Sequence, residues 1–165
     1  MKIATLLLVF FCIRLSAQVP ADSVKTDTSA VVALMKADSI VAFAKQHLGK
    51  PYKYACAGPN AFDCSGFVSY VFAEFKVSLP RSSRDYMTTG KEVPISEARK
   101  GDVIVFRGTR AGEERAGHVG IVVSEPGQPL MFIHASSSEK HRGVVLTDYA
   151  NSHYPKRFIK VIRVL

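Results

Sequence analysis

The chain has 165 residues, 47% of them apolar, no tryptophan and a formal charge of +8, which suits one domain with a real core and is too short for two. Its lysines and arginines are dispersed, and no basic-aromatic or zinc-finger spacing accompanies them; this argues against nucleic acid and suits an anionic partner such as a cell wall or lipid headgroups.

Residues 1–17 have the layout of a secretory signal: Lys2, an apolar core from Ile3 to Ile13, and Leu15-Ser16-Ala17 before Gln18. That core is too short to span a bilayer. Cleavage after Ala17 removes Lys2 and Arg14 with the leader, leaving 148 residues and bringing the charge from +8 to +6. The mature chain is therefore expected outside the cytoplasm, in the periplasm or cell envelope or secreted. Cys12 follows Phe11 rather than a small residue, which argues against a lipid anchor and so against membrane attachment.

Residues 18–37 are expected to be a flexible linker, because the stretch from Gln18 to about Ala30 is polar and shows no helical or strand period. The domain proper then runs over 38–165. From Asp38, Ile40, Val41, Phe43, Ala44 and Leu48 give a helix one apolar side, with an earlier start near Ala30 left open, and Gly49 with Pro51 stops it. Lys50 to Phe62 reads as a loop. It leads into Asp63-Cys64-Ser65-Gly66 and the helical spacing of Phe67, Val68, Val71, Phe72 and Phe75. The polar segment up to Gly90 is expected to be partly helical. Strands follow at Gly101–Phe106, His118–Val123, Leu130–Ala135 and Arg157–Val164, with a weaker candidate at Val144–Leu146. Helices first and strands afterwards predict an α+β fold with helices packed on an antiparallel sheet.

A cysteine at the start of a helix is placed where a nucleophile belongs, since unpaired N–H groups there favour the thiolate and lower its pKa. It needs a base that takes the thiol proton and returns it to a leaving amine, and a third group that orients the base. His118, between two glycines at the start of a strand, is the choice for base. If its strand and the next pair antiparallel across Ser124–Gly127, His134 shares its side of the sheet and can accept its N–H. His47, His141 and His153 read as structural. Cys56 could pair with Cys64 in an oxidising compartment, which would remove the nucleophile. Zinc held by Cys56, Cys64, His118 and His134 is disfavoured, because neither pair has the close spacing of structural sites. No metal or cofactor is expected.

Five blocks occur in order: Asp63-Cys64-Ser65-Gly66-Phe67-Val68, Leu79-Pro80-Arg81-Ser82-Ser83, Lys100-Gly101-Asp102-Val103-Ile104-Val105-Phe106, Gly117-His118-Val119-Gly120-Ile121 and Ile133-His134-Ala135. Together they resemble the NlpC/P60 cell-wall cysteine peptidases from about Asp38 to the C-terminus. The resemblance implies a papain-like fold and hydrolysis within peptidoglycan stem peptides, commonly between the γ-carboxyl of D-glutamate and a diamino acid, by a monomer acting on the wall or its fragments. It makes Cys64 the nucleophile, His118 the base, His134 the third polar residue and Tyr52 a helper at the oxyanion. It gives Asp63, Ser65 and Arg81 contacts to substrate, with Asp63 at the amino terminus of L-alanine and Arg81 at the D-glutamate carboxylate. A wall-binding module without turnover and an amidase or transpeptidase on the same scaffold are the alternatives. The chain departs from the family pattern where Ala55-Cys56-Ala57-Gly58 replaces a glycine pair and Tyr86 a common glutamine. The charged stretch Arg107 to Ala116 reads as a solvated turn in preference to a wall of the cleft.

Overall fold

The computed structural model describes residues 28–110 and 112–165; the expected leader and residues 18–27 of the expected linker lie outside them. Helix α1 spans Thr28–Lys45, so the part of the linker that is described, residues 28–37, is helical. Ala30, Ala33, Leu34, Met35, Lys36 and Ala37 are good helix formers, and no glycine or proline stops the helix from extending backwards. Burial begins only at Ala37 and continues through Ile40, Val41 and Ala44, at intervals of one helical turn. Beyond it His47 bonds the Phe43 carbonyl through Nδ1 at 2.9 Å and packs among Phe62, Phe67 and Tyr70, the structural role expected of it.

Helix α2 runs over Cys64–Glu74 and is capped by Asp63, whose side chain accepts the Gly66 N–H at 2.7 Å. The loop before it folds back, so that the Cys56 carbonyl accepts the Asp63 N–H at 2.8 Å. A Cβ on Gly66 would stand 2.1 Å from that carbonyl oxygen and 3.0 Å from Ala57 Cα, neither of which can swing away. Gly66→Ala ordinarily gains about 1 kcal/mol in a helix. Here it is expected to lose about 3 kcal/mol by overpacking, read from the urea midpoint; a stabilised variant would show that the loop does not pack this way.

Six strands follow: β1 (Lys91–Val93), β2 (Val103–Arg107), β3 (Ala116–Val122), β4 (Met131–Ser136), β5 (Gly143–Asp148) and β6 (Phe158–Arg163). They form one sheet in the order β1-β6-β2-β3-β4-β5, with every neighbouring pair antiparallel. The α+β expectation holds. The weak candidate at 144–146 is a full edge strand, β1 was not anticipated, and the polar segment after Pro80 contains a 3-10 helix over Ser83–Thr88. β2 is buried on both faces. Val103 and Val105 join Ile40, Phe67, Val68 and Phe72 beneath the helices, while Ile104 and Phe106 join Val122, Phe132, Val161 and Tyr154 on the other side. Arg163 clamps buried Asp102 with two hydrogen bonds of 2.9 and 2.8 Å and so ties the last strand to the start of β2.

Candidate active site

The N-terminus of α2 abuts β3 where the pairing with β2 slips by one residue: Phe106 faces His118, but Arg107 faces Ala116. Gly117 is the extra residue of this bulge, a device that re-aims neighbouring groups. A Cβ on Gly117 would meet Gly108 Cα at 2.5 Å, so the bulge depends on two glycines in close approach. The Gly117 carbonyl turns to the nucleophile candidate, 3.9 Å from Cys64 Sγ. Among the described residues no hydrogen bond joins Cys64 to His118.

His118 and His134 lie on one face of the sheet, as the antiparallel pairing of β3 and β4 requires. His118 Nε2 and His134 Nδ1 are 2.9 Å apart, and His134 Nε2 is 2.9 Å from Thr147 Oγ1 on β5. Gly120 makes room for this, since a Cβ there would stand 2.8 Å from the Phe132 ring and 3.2 Å from His134 Cβ. The pair is walled by Phe106, Phe132 and Tyr154. The Tyr154 hydroxyl lies 3.4 Å from His118 Nε2, and Arg157 stacks over the Tyr154 ring. Sequence reading missed Thr147, Tyr154 and Arg157 as site residues: Thr147 lies one residue past the weakest predicted strand, Tyr154 in a turn with no period to mark it, and Arg157 was read only as the first residue of the last strand.

Burial is the main cause of the electrostatics here. It holds His118 well below the ordinary histidine range, helped by the charges of His134, Arg157 and His153. Burial, with His153 and Arg157, brings His134 down to about 3. The Cys64 thiol is pushed up, first by burial and then by the Asp63 carboxylate; the N–H groups of Val119, Ser65 and Cys64 itself pull the other way and do not prevail. The lowered thiol pKa expected from the helix start is therefore corrected: loss of water outweighs the helix end, and the resting pair is thiol and neutral imidazole.

Asp63, Ser65 and Arg81 are brought together and engage one another. Arg81 donates from Nη2 to Asp63 Oδ2 at 2.6 Å and from Nη1 to Oδ1 at 3.0 Å, and Ser65 Oγ lies 3.3 Å from both Arg81 Nη1 and Asp63 Oδ1. Tyr52 borders the same cleft as Cys64, and its hydroxyl pKa is raised by burial and then by Cys64. Tyr86, beneath, is fully buried, with a hydroxyl that has no hydrogen-bond partner among the described residues. Cys56 and Cys64 are both free thiols. Ala55, in the loop lacking the glycine pair, adopts φ 60°, a left-handed conformation that costs an alanine about 1–2 kcal/mol.

The cleft has a volume of about 770 Å³. Its floor holds Cys64, and its walls are the segment from Arg81 to Arg84 and the loop between β2 and β3. That loop was expected as a solvated turn. It is largely exposed, yet Gly108, Thr109, Arg110, Glu113 and Arg115 line the cleft, because the Gly108–Gly117 contact folds it towards the helix start.

Residues 49–163 match the model of the NlpC/P60 family. Among curated proteins, a "Probable endopeptidase" of Corynebacterium glutamicum is 31% identical over 83% of this chain and 60% of its own length. The "Murein DD-endopeptidase MepS/Murein LD-carboxypeptidase" of Escherichia coli is 35% identical over 71% of this chain and 57% of its own. Among solved structures, the peptidoglycan hydrolase RipB of Mycobacterium tuberculosis superposes with a TM-score of 0.64 at 26% identity, over 82% of this chain and 67% of that one. The chain thus spans less than two thirds of the length of the curated relatives it matches.

Proposed function

The chain belongs to the NlpC/P60 family, and from that premise we propose that it is an exported cysteine endopeptidase that hydrolyses peptidoglycan stem peptides between the γ-carboxyl of D-glutamate and the diamino acid. The observation that carries the reading is the chain of side chains from His118 through His134 to Thr147, which begins one residue on from Gly117, whose carbonyl lies 3.9 Å from the Sγ of the helix-start cysteine in an open cleft. With the His118 proton on Nε2, donated to His134 Nδ1, and the His134 proton on Nε2, donated to Thr147, Nδ1 of His118 is left as the base.

In this reading His118 takes the Cys64 proton as sulfur attacks the scissile carbonyl carbon, and the oxygen takes up negative charge near the Cys64 N–H and the Tyr52 hydroxyl. The C–N bond then breaks, and the imidazolium returns the proton to the leaving amine. Water, deprotonated by His118, attacks the thioester and releases the acid and the thiol. Neutral thiol and neutral imidazole are the correct starting forms for such a concerted transfer. Asp63 Oδ2 accepts a single hydrogen bond among the described residues, which leaves a lone pair for the ammonium of an N-terminal L-alanine.

The relative named as a DD-endopeptidase supports a second reading, in which the bond cut is the cross-link between stem peptides. Product masses separate the two. Under reducing conditions, the protein with residues 1–17 removed is expected to release L-alanyl-D-glutamate from a defined tetrapeptide, and to do so more slowly when the alanine is acetylated. Cleavage only of cross-linked dimers would assign the second reading. Intact peptides and intact wall, beside a hydrolase that digests both, would overturn the peptidase reading.

A further inference from the structure

The cleft carries more positive charge than its pairs consume. Four arginines line it, Arg81, Arg84, Arg110 and Arg115, against two carboxylates, Asp63 and Glu113. Arg81 is engaged by Asp63 and Arg115 by Glu113, at 2.6 and 2.8 Å. Arg84 and Arg110 are exposed, and their guanidinium groups have no hydrogen bond or ion pair among the described residues. They stand on different segments of the cleft lining. Arg84 follows the cap of the 3-10 helix, where its N–H lies 3.4 Å from Ser82 Oγ, and Arg110 belongs to the loop between β2 and β3. The two segments lie close together: the Glu113 carboxyl, held down first by its hydrogen bond to Arg115, is also lowered by the charge of Arg84.

We propose that Arg84 and Arg110 form an anion-binding subsite at the mouth of the cleft, receiving a free carboxylate of the substrate peptide. The inference rests on the stem-peptide reading, and it moves the carboxylate contact away from Arg81, whose terminal nitrogens already serve Asp63 and Ser65. Guanidinium groups free of hydrogen bonds can each donate to a carboxylate, and an excess of positive charge in a cleft raises the local concentration of an anionic substrate. The carboxylate has two possible sources: the α-carboxyl of γ-linked D-glutamate, and the second carboxyl of a diaminopimelyl residue, which a lysyl residue lacks.

The test uses four tetrapeptides, with glutamate or its α-amide combined with diaminopimelate or lysine. For each, kcat/KM is measured with the wild type and with the double variant Arg84→Gln, Arg110→Gln, and binding by calorimetry on a Cys64→Ala background. The wild type is expected to prefer the carboxylate at one of the two positions by roughly 10- to 100-fold. Added salt should weaken that preference, and the double variant should bring the ratio close to one; the position affected identifies the source. A wild-type ratio near one at both positions overturns the subsite, and a preference that survives the double variant overturns it and returns the contact to Arg81. If no peptide is cut but the Cys64→Ala protein binds with a carboxylate preference that both arginines control, the subsite stands and the peptidase reading falls. Neither cleavage nor such a preference overturns both.

Discussion

Cys64→Ala is expected to lower kcat/KM on stem peptides by on the order of 10⁴-fold or more while leaving peptide affinity close to that of the wild type. Without the thiol no acyl-enzyme forms, and the histidine pair has no nucleophile to activate, so the groups of this unit do not substitute for one another. Little else should change. Asp63 still caps α2, since its bond is to the Gly66 N–H, and the fold should melt near the wild-type temperature. Activity within tenfold of the wild type would move the chemistry to another residue. Alkylation adds a check on the protonation state. Because burial and Asp63 push the thiol up, Cys64 in the resting protein should react slowly at neutral pH and faster as pH rises. Peptide mapping must separate it from Cys56. Rapid labelling of Cys64 at pH 6 would mean that the helix end, not burial, governs the thiol.

Acid should destabilise the protein well before its carboxylates titrate. In the unfolded chain His118 and His134 take up protons near pH 6.5; in the folded protein His118 does so only well below that, and His134 at about 3. Between these limits the unfolded chain binds more protons, so stability is fully present above about pH 6.5 and falls as pH drops. The slope approaches about 1.4 kcal/mol per pH unit for each histidine, which for His134 amounts to about 2 kcal/mol between pH 7 and 5. Against a typical 5–15 kcal/mol for a domain, the two together are a large loss. Urea unfolding at pH 7.5 and 5.0 measures it, and His134→Gln should cut the slope by about half. Equal midpoints at the two pH values would show that the pair is accessible to water and protonates freely.

Much of the architecture is legible locally. The helical spacing of Phe67, Val68, Val71 and Phe72 and the cap at Asp63 are short-range facts, and they mark α2 and its reactive start without knowledge of the rest. The strands β2, β3, β4 and β6 are runs of β-branched and aromatic residues between turn formers. The start of α1 was legible only as an open choice between Asp38 and about Ala30, because its first turns are polar or exposed and helix propensity there extends a helix that no apolar stripe announces. The loop before β3 was misread because its charges are indeed solvated; what turns it into a wall of the cleft is one close approach between Gly108 and Gly117.

The sequence by itself determined the order of chemical groups along the chain: a cysteine at a helix start, a histidine on each of two strands, an acidic cap, and the blocks that carry the family resemblance. Only the tertiary structure decided how they meet. It turned His118 onto His134 and His134 onto Thr147, locked Arg81 to Asp63, left the Arg84 and Arg110 guanidinium groups in one cleft with no hydrogen bond among the described residues, and removed enough water to raise the thiol and lower the imidazoles. Caps and periodicity act over one or two turns of chain, where sequence spacing is spatial spacing. Burial, strand register and ion pairing between residues 18 apart, such as Asp63 and Arg81, exist only once the sheet and helices have closed on one another.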